Sequence, residues 1–180
     1  MSRKYKFLNR EGLHFVSFAV VHWIDVFVRP VYAQVVLDSL EHCRRNMGME
    51  IYCWCIMPIH MHMIFRARDG NPDSVLGRFK QFTSRGVVNA IKDNPKESRK
   101  DWMLRLFADS GARSSNIQNN QFWRHDNKPI GVWTPAVIEQ KINYIHNNPV
   151  VAGLVFEPDQ YRYSSAIDYA GGKGLIDIDY

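Results

Sequence analysis

Met57-Pro58-Ile59-His60-Met61-His62-Met63-Ile64 is the stretch on which the reading of this chain turns. Side chains alternate across a β-strand with period two, so His60 and His62 share one face while Met61 and Met63 take the other. Two imidazoles on an otherwise apolar strand are costly to bury without partners, and side by side they form a ready bidentate metal ligand. Alternation leaves two readings open, a metal site or a pair of hydrogen-bonded histidines. The rest of the chain has to supply a third ligand and something for a metal to act on.

Working outward, His60 to Arg68 reads as a strand ended by the turn signal Asp69-Gly70-Asn71-Pro72, and Met49 to Met57 reads as the strand before it, joined through Pro58-Ile59. His14 to Val21 is apolar on both faces apart from Ser17, the pattern of a central strand. Val36, Leu40, Cys43 and Met47 repeat at helical spacing within Val31 to Met47, and Gly48 follows as a stop. A second helix is expected over Asp73 to Lys92, with Val75, Phe79 and Phe82 on one face, and a shorter one over Glu97 to Asp109 with a Trp102/Leu106 stripe. Gln121 to His125 reads as a short strand. The order is β-α-β-β-α-β with additions, which predicts a ferredoxin-like α+β sandwich with helices on one face of an antiparallel sheet and an additional C-terminal helix. The Met61/Met63/Phe65 face should meet the helices, leaving the His60/His62 face open for a site.

With 180 residues, 46% hydrophobic and 13% aromatic, the chain is expected to form one folded domain over 1–180, with a less ordered basic N-terminus and C-terminal tail. No apolar run approaches the ~18 residues of a membrane span. The apolar stretch after Met1 to Lys6 carries His14, Ser17 and His22, so it reads as a strand and not a signal peptide, and a cytoplasmic protein is expected. Cys43, Cys53 and Cys55 are an odd number and suit a reducing compartment. A net charge of +5 favours a polyanionic partner.

The late helix begins at Thr134-Pro135, a good N-cap with proline at N1, and should run to about Asn148. At ~100° per residue, Ile138, Ile142 and Ile145 form its buried stripe, with Tyr144, Asn148 and Lys141 together on one flank. Geometry alone leaves Tyr144 open between a packing residue with a solvated hydroxyl and a nucleophile.

Three motifs in this order, M-P-I-H-M-H-M-I, then Y-I-H-N-N-P-V-V-A-G-L-V, then Y-R-Y-S-S-A, resemble those of the single-tyrosine transposases of the HUH class, and most closely the REP-associated tyrosine transposases. The resemblance runs from Phe15 to the tail; the chain departs from it at Ile59, where the family commonly has Asn, and at Arg124, where Gln often follows the Trp. It implies a ferredoxin-like fold, a divalent metal (Mg²⁺ or Mn²⁺) held by His60, His62 and Asn148, and Tyr144 as the nucleophile. It further implies cleavage and rejoining of single-stranded DNA flanked by a hairpin of the repetitive extragenic palindrome kind, through a 5′-phosphotyrosine, by a monomer or homodimer. Nucleic-acid contacts are then expected from Arg3, Lys4, Lys6 and Arg10, from Arg78, Lys80 and Arg85, from Trp123 and Arg124 as a stacking and charged pair, and from Lys141. Two alternatives remain: a catalytically silent nucleic-acid-binding relative, and a structural zinc module drawing on Cys53, Cys55, His60 and His62.

Overall fold

The computed structural model describes residue 7 and residues 9–113, 120–125 and 129–180. The four strands β1 (Leu13–Ala19), β2 (Met49–Ile56), β3 (His60–Ala67) and β4 (Ile130–Val132) form one antiparallel sheet in the order β2-β3-β1-β4. This is the ferredoxin-like topology expected from the element order. Central β1 is apolar on both faces because both are covered: Val16 and Phe18 join one core cluster and Phe15 the other. The register sets Ser17 opposite His62 and Ala19 opposite His60.

Helices α1 (Pro30–Asn46) and α2 (Pro72–Asp93) pack on the face carrying Met61, Met63 and Phe65, as the strand alternation requires. Gly48 follows α1 at φ 65°, the left-handed conformation that glycine adopts without steric cost. Helix α2 is regular despite its two glycines, and Gly86 is where it comes close to α1. A Cβ there would stand 2.6 Å from Val35 Cγ1. Helix α3 (Lys100–Ala112) follows, burying Met103 and Phe107. Its face is turned one residue from the expected Trp102/Leu106 stripe, leaving Trp102 exposed. On α2, Phe82 is likewise exposed, and buried Thr83 takes the inward position.

Three expectations are corrected. The last strand is Ile130–Val132, which pairs with Leu13 to Phe15, and not Gln121 to His125. In the latter only Trp123 makes an isolated bridge, to Val20, while Phe122 and Trp123 turn into the α1/α2 core. The second face of the sheet is not open, because α4 (Pro135–Val151) crosses β2 and β3 and closes a second core of Phe15, Cys53, Cys55, Ile64, Val132 and Ile145. The C-terminal tail is not loose either. Ser165 exchanges bonds with the Trp54 backbone, Asp179 with that of Ile51, and Ile176 and Ile178 are buried, so the tail shields the free edge of β2. The short helix α5 (Ala166–Tyr169) lies within this segment.

Replacing Gly86 by Ala should destabilise the protein by about 1–3 kcal/mol through overpacking against α1. Val35→Ala in the same chain should recover most of that loss, which urea unfolding of the single and double variants would measure.

Candidate functional site

Thr134 caps α4, its side chain accepting from the Val137 amide at 3.3 Å, and the helix then crosses the sheet over the histidine strand. Ile145 is buried beneath it, with Ile138 and Ile142 half-buried beside the same cluster, as the helical stripe predicts. The helix runs beyond Asn148, through Pro149 to Val151, and Gly153 at φ 71° follows its end.

On its inner flank α4 brings its side chains to the histidines. His60 Nε2 lies 3.3 Å from Asn148 Oδ1. The His60 and His62 rings are 4.6 Å apart, and the Tyr144 ring meets His62 edge to face at 5.2 Å. Phe15 stacks against His62 at 5.7 Å and touches Tyr144 at 6.0 Å. Lys141 folds back over the same group, its ammonium 4.9 Å from the Phe15 ring centre and 5.7 Å from that of Tyr144. His60, His62, Asn148, Tyr144 and Lys141 are therefore one constellation. Phe15 completes it, and its apolar strand context in the sequence carried no sign of that role.

His62 is only 4% exposed, yet among the described residues neither ring nitrogen has a hydrogen-bond partner, and Nδ1 of His60 is also buried without one. Burial pushes His62 down to about 3, with the His60 ring and the Lys141 ammonium adding to the shift. Burial also lowers His60, against the opposing bond to Asn148. Both rings are thus neutral near pH 7, with lone pairs available. Orphaned imidazole nitrogens converging beside an amide oxygen fit a divalent ion. Among the described residues no three His, Cys, Asp or Glu side chains gather around a common point, and the further oxygen beside the histidine pair is that of Asn148.

Helix α4 is fixed by a residue the sequence reading passed over. Buried His146 places Nε2 2.9 Å from Ser165 Oγ and 3.2 Å from Cys53 Sγ, with the Tyr169 ring against its edge at 4.9 Å. This also bears on the zinc alternative. The Cys53 thiol meets His146 and Ser165, and among the described residues no three His, Cys, Asp or Glu side chains gather where they could hold a metal ion.

Two other tyrosines near the tail have committed hydroxyls: Tyr161 donates to the Ile56 carbonyl at 3.0 Å and Tyr169 to that of Tyr52 at 2.8 Å. Burial raises both phenols. Tyr144, by contrast, is 50% exposed.

The expected nucleic-acid contacts divide. Trp123 is 4% exposed, packed on Phe18, Phe27 and Phe122, and donates its indole N–H to Thr83 at 2.8 Å. It is a core residue and not a stacking platform. Arg124 is exposed, and the Lys80 ammonium donates to its carbonyl at 2.9 Å. Arg78 and Arg85 are exposed on α2, across the sheet from Tyr144, and Arg10 is exposed before β1. Arg3, Lys4 and Lys6 lie outside the described residues.

Neither a protein-family model nor a curated protein sequence matches the chain significantly. Among solved structures it is similar to a REP-associated tyrosine transposase bound to a REP hairpin, with TM-score 0.67 and 18% identity, covering 100% of this chain and 91% of that one. A protein described as a putative transposase from Deinococcus radiodurans R1 aligns with TM-score 0.40 and 18% identity, over 82% of this chain and 95% of that one. The first likeness establishes the fold.

The histidine shifts carry a pH signature. Unfolded, His62 and His146 would titrate near 6.5, whereas burial holds them at about 3 and about 4 in the fold. From pH 6.5 down to about 4 the unfolded chain binds the extra protons, so stability should fall as pH falls, by up to ~1.4 kcal/mol per pH unit for each histidine. Urea unfolding between about pH 7 and pH 5 should show this slope, and His62→Phe should flatten part of it.

Proposed function

We propose that this chain is a metal-dependent, cytoplasmic single-stranded DNA nuclease and strand transferase of the REP-associated tyrosine transposase kind, acting on DNA that carries a hairpin. The observation that carries this reading is the pairing of an exposed Tyr144 with two buried imidazoles that keep unpartnered nitrogens among the described residues. The fold it shares with a transposase bound to a REP hairpin supports the same reading.

His60, His62 and Asn148 would hold a Mg²⁺ or Mn²⁺ ion, whose chemistry when bound is to polarise a non-bridging phosphate oxygen and orient the scissile phosphate. Two imidazoles and one amide oxygen suit Mn²⁺ better than Mg²⁺, which prefers oxygen. The rest falls to the chain's own groups. Phe15 packs against His62 and the Tyr144 ring, limiting how the phenol can turn. The exposed side of Tyr144 admits a strand from solvent. Its hydroxyl attacks phosphorus, the Tyr144 Oη–P bond forms as the P–O3′ bond breaks, and the phenolic proton ends on the released 3′ oxygen. The 5′-phosphotyrosine retains the energy of the phosphodiester, so a new 3′-hydroxyl can reverse the step and join strands. The Lys141 ammonium offsets the negative charge that gathers as the phenol ionises.

The test is a labelled hairpin with single-stranded flanks, incubated with Mn²⁺ and resolved for covalent adduct. Tyr144→Phe should lower cleavage by several orders of magnitude while binding changes little. Adduct retained in that variant would overturn the nucleophile, and binding without cleavage by the unaltered chain would favour a silent relative.

A separate expectation concerns the metal. Mn²⁺ should raise the melting temperature of the unaltered chain and of Tyr144→Phe, but not of His60→Ala or His62→Ala. Full cleavage in EDTA would exclude a metal role.

A further inference from the structure

Immediately after β1 the backbone does something costly. His22 and Trp23 are consecutive residues with φ 55° and 57°, in the left-handed region that non-glycine side chains rarely adopt. The strain is held in place by its surroundings. Val20 N–H bonds the Ile59 carbonyl, Val21 N–H that of Phe122, and His22 Nε2 lies 2.9 Å from Ser110 Oγ on α3. What the conformation achieves is the display of a tryptophan: Trp23 is 54% exposed, with the Arg124 guanidinium 5.0 Å from its ring centre. Arg124 is itself pinned, its amide bonded to the Ala19 carbonyl at 2.8 Å and its own carbonyl to Lys80.

Trp23 and Arg124 line a cavity of about 620 Å³ together with His22, Ser110, Arg113 and Gln121, and among the described residues no carboxylate lines it. That volume lies within the range of small-ligand clefts, roughly 300–1,000 Å³. An exposed indole, two guanidinium groups and hydroxyl and amide edges are the elements with which proteins hold an unpaired base and its phosphate. The location matters as much as the chemistry. Ala19, from which this segment leaves the sheet, is paired with His60. The cavity therefore opens at the same end of the sheet as the first histidine of the candidate site.

We infer that this cavity binds one unpaired nucleobase of a DNA strand, stacked on the exposed side of Trp23 with its phosphate against Arg113 and Arg124. The inference rests on the reading of the chain as a single-stranded DNA enzyme and deepens it, giving that enzyme a base-holding subsite at the same end of the sheet as His60. The aromatic residue serving the strand is then Trp23, while Trp123 belongs to the core.

Two DNA probes separate this subsite from the wider reading: a blunt hairpin, and the same hairpin with five mixed-sequence unpaired nucleotides on each arm. Binding of the unaltered chain to the extended probe should weaken about tenfold in Trp23→Ala. Trp23→Phe should keep most of the affinity, and the blunt hairpin should bind all three equally. Replacing the extensions by abasic sugar-phosphate should abolish the difference between the unaltered chain and Trp23→Ala. Trp102→Ala, which removes an exposed indole elsewhere on α3, should change nothing. Equal binding of the extended probe by the unaltered chain and Trp23→Ala would overturn the subsite while leaving the DNA reading intact. A difference that persists on the abasic probe would reduce the cavity to a phosphate site and overturn base stacking. Failure of the unaltered chain to bind either hairpin would overturn both.

Discussion

Everything at the candidate site depends on the commitment of one face of β3 to the core. Met61, Met63 and Phe65 are fully buried under α1 and α2, so the strand cannot slip by one residue without moving all three to the α4 face and burying its histidines under α1 and α2 instead. That constraint drives His60 and His62 to the opposite face. Covering by α4 then makes the pair consequential. A solvated histidine pair would titrate near its ordinary value, whereas beneath the helix both rings are held neutral. The same covering leaves the two nitrogens of His62 without partners among the described residues, at a cost of roughly 1–3 kcal/mol for each unpaired buried group.

The helix that covers the pair also has to hold its position along the sheet. A displacement of one turn along α4 would exchange Asn148 for Tyr144 over His60. His146 opposes that motion, because Ser165 and Cys53 meet it from two different segments, the tail and β2. The tail is in turn bonded along the edge of β2. Site geometry is thus set by a chain of contacts running from the C-terminal residues through Ser165 to α4, which is why a segment that looks like a loose appendage is packed against the sheet.

Most of the frame was legible in the sequence because it rests on periodicity: the central strand, the two-residue turn at Pro58-Ile59, the helical repeats and the Thr134 cap are local signals. What escaped depends on partners distant in sequence. Ile130-Gly131-Val132 is too short to announce a strand, and pairs because Leu13 to Phe15 offer an edge. Gly131 fits because the Trp133 indole lies over it, where a side chain would collide. Trp123 sits among aromatic and charged neighbours in sequence, a surface-like context, yet Thr83 offers its indole a buried acceptor. A bulge between Ile51 and Cys53 reverses the alternation of β2, so Met49 and Ile51 face the α1/α2 core while Cys53 and Cys55 face α4. No period-two reading of that strand could have assigned both halves correctly. His60, His62, Tyr144 and Asn148 were legible through motif resemblance, and their spacing on strand and helix permitted the convergence without requiring it.

Two of the features that break local rules lie near one end of the sheet. The orphaned nitrogens of His62 and His60 lie toward the end of β3 where Ala19 pairs with His60, and the left-handed His22-Trp23 pair begins three residues beyond Ala19. At the far end of the sheet Gly48 and Gly70 occupy positive φ at the turns, and the buried His14 ring is likewise without a hydrogen-bond partner among the described residues. Sequences that specify a fold are consistent across levels, and departures concentrate where function has been favoured over stability. Burial of unpaired imidazoles and strain in a two-residue turn are independent costs, arising from different physics and borne by different strands. Their meeting at one end of the sheet, beside an exposed tyrosine on one face and a basic aromatic cavity opening off the strand end, supports the proposal that this end meets the DNA substrate.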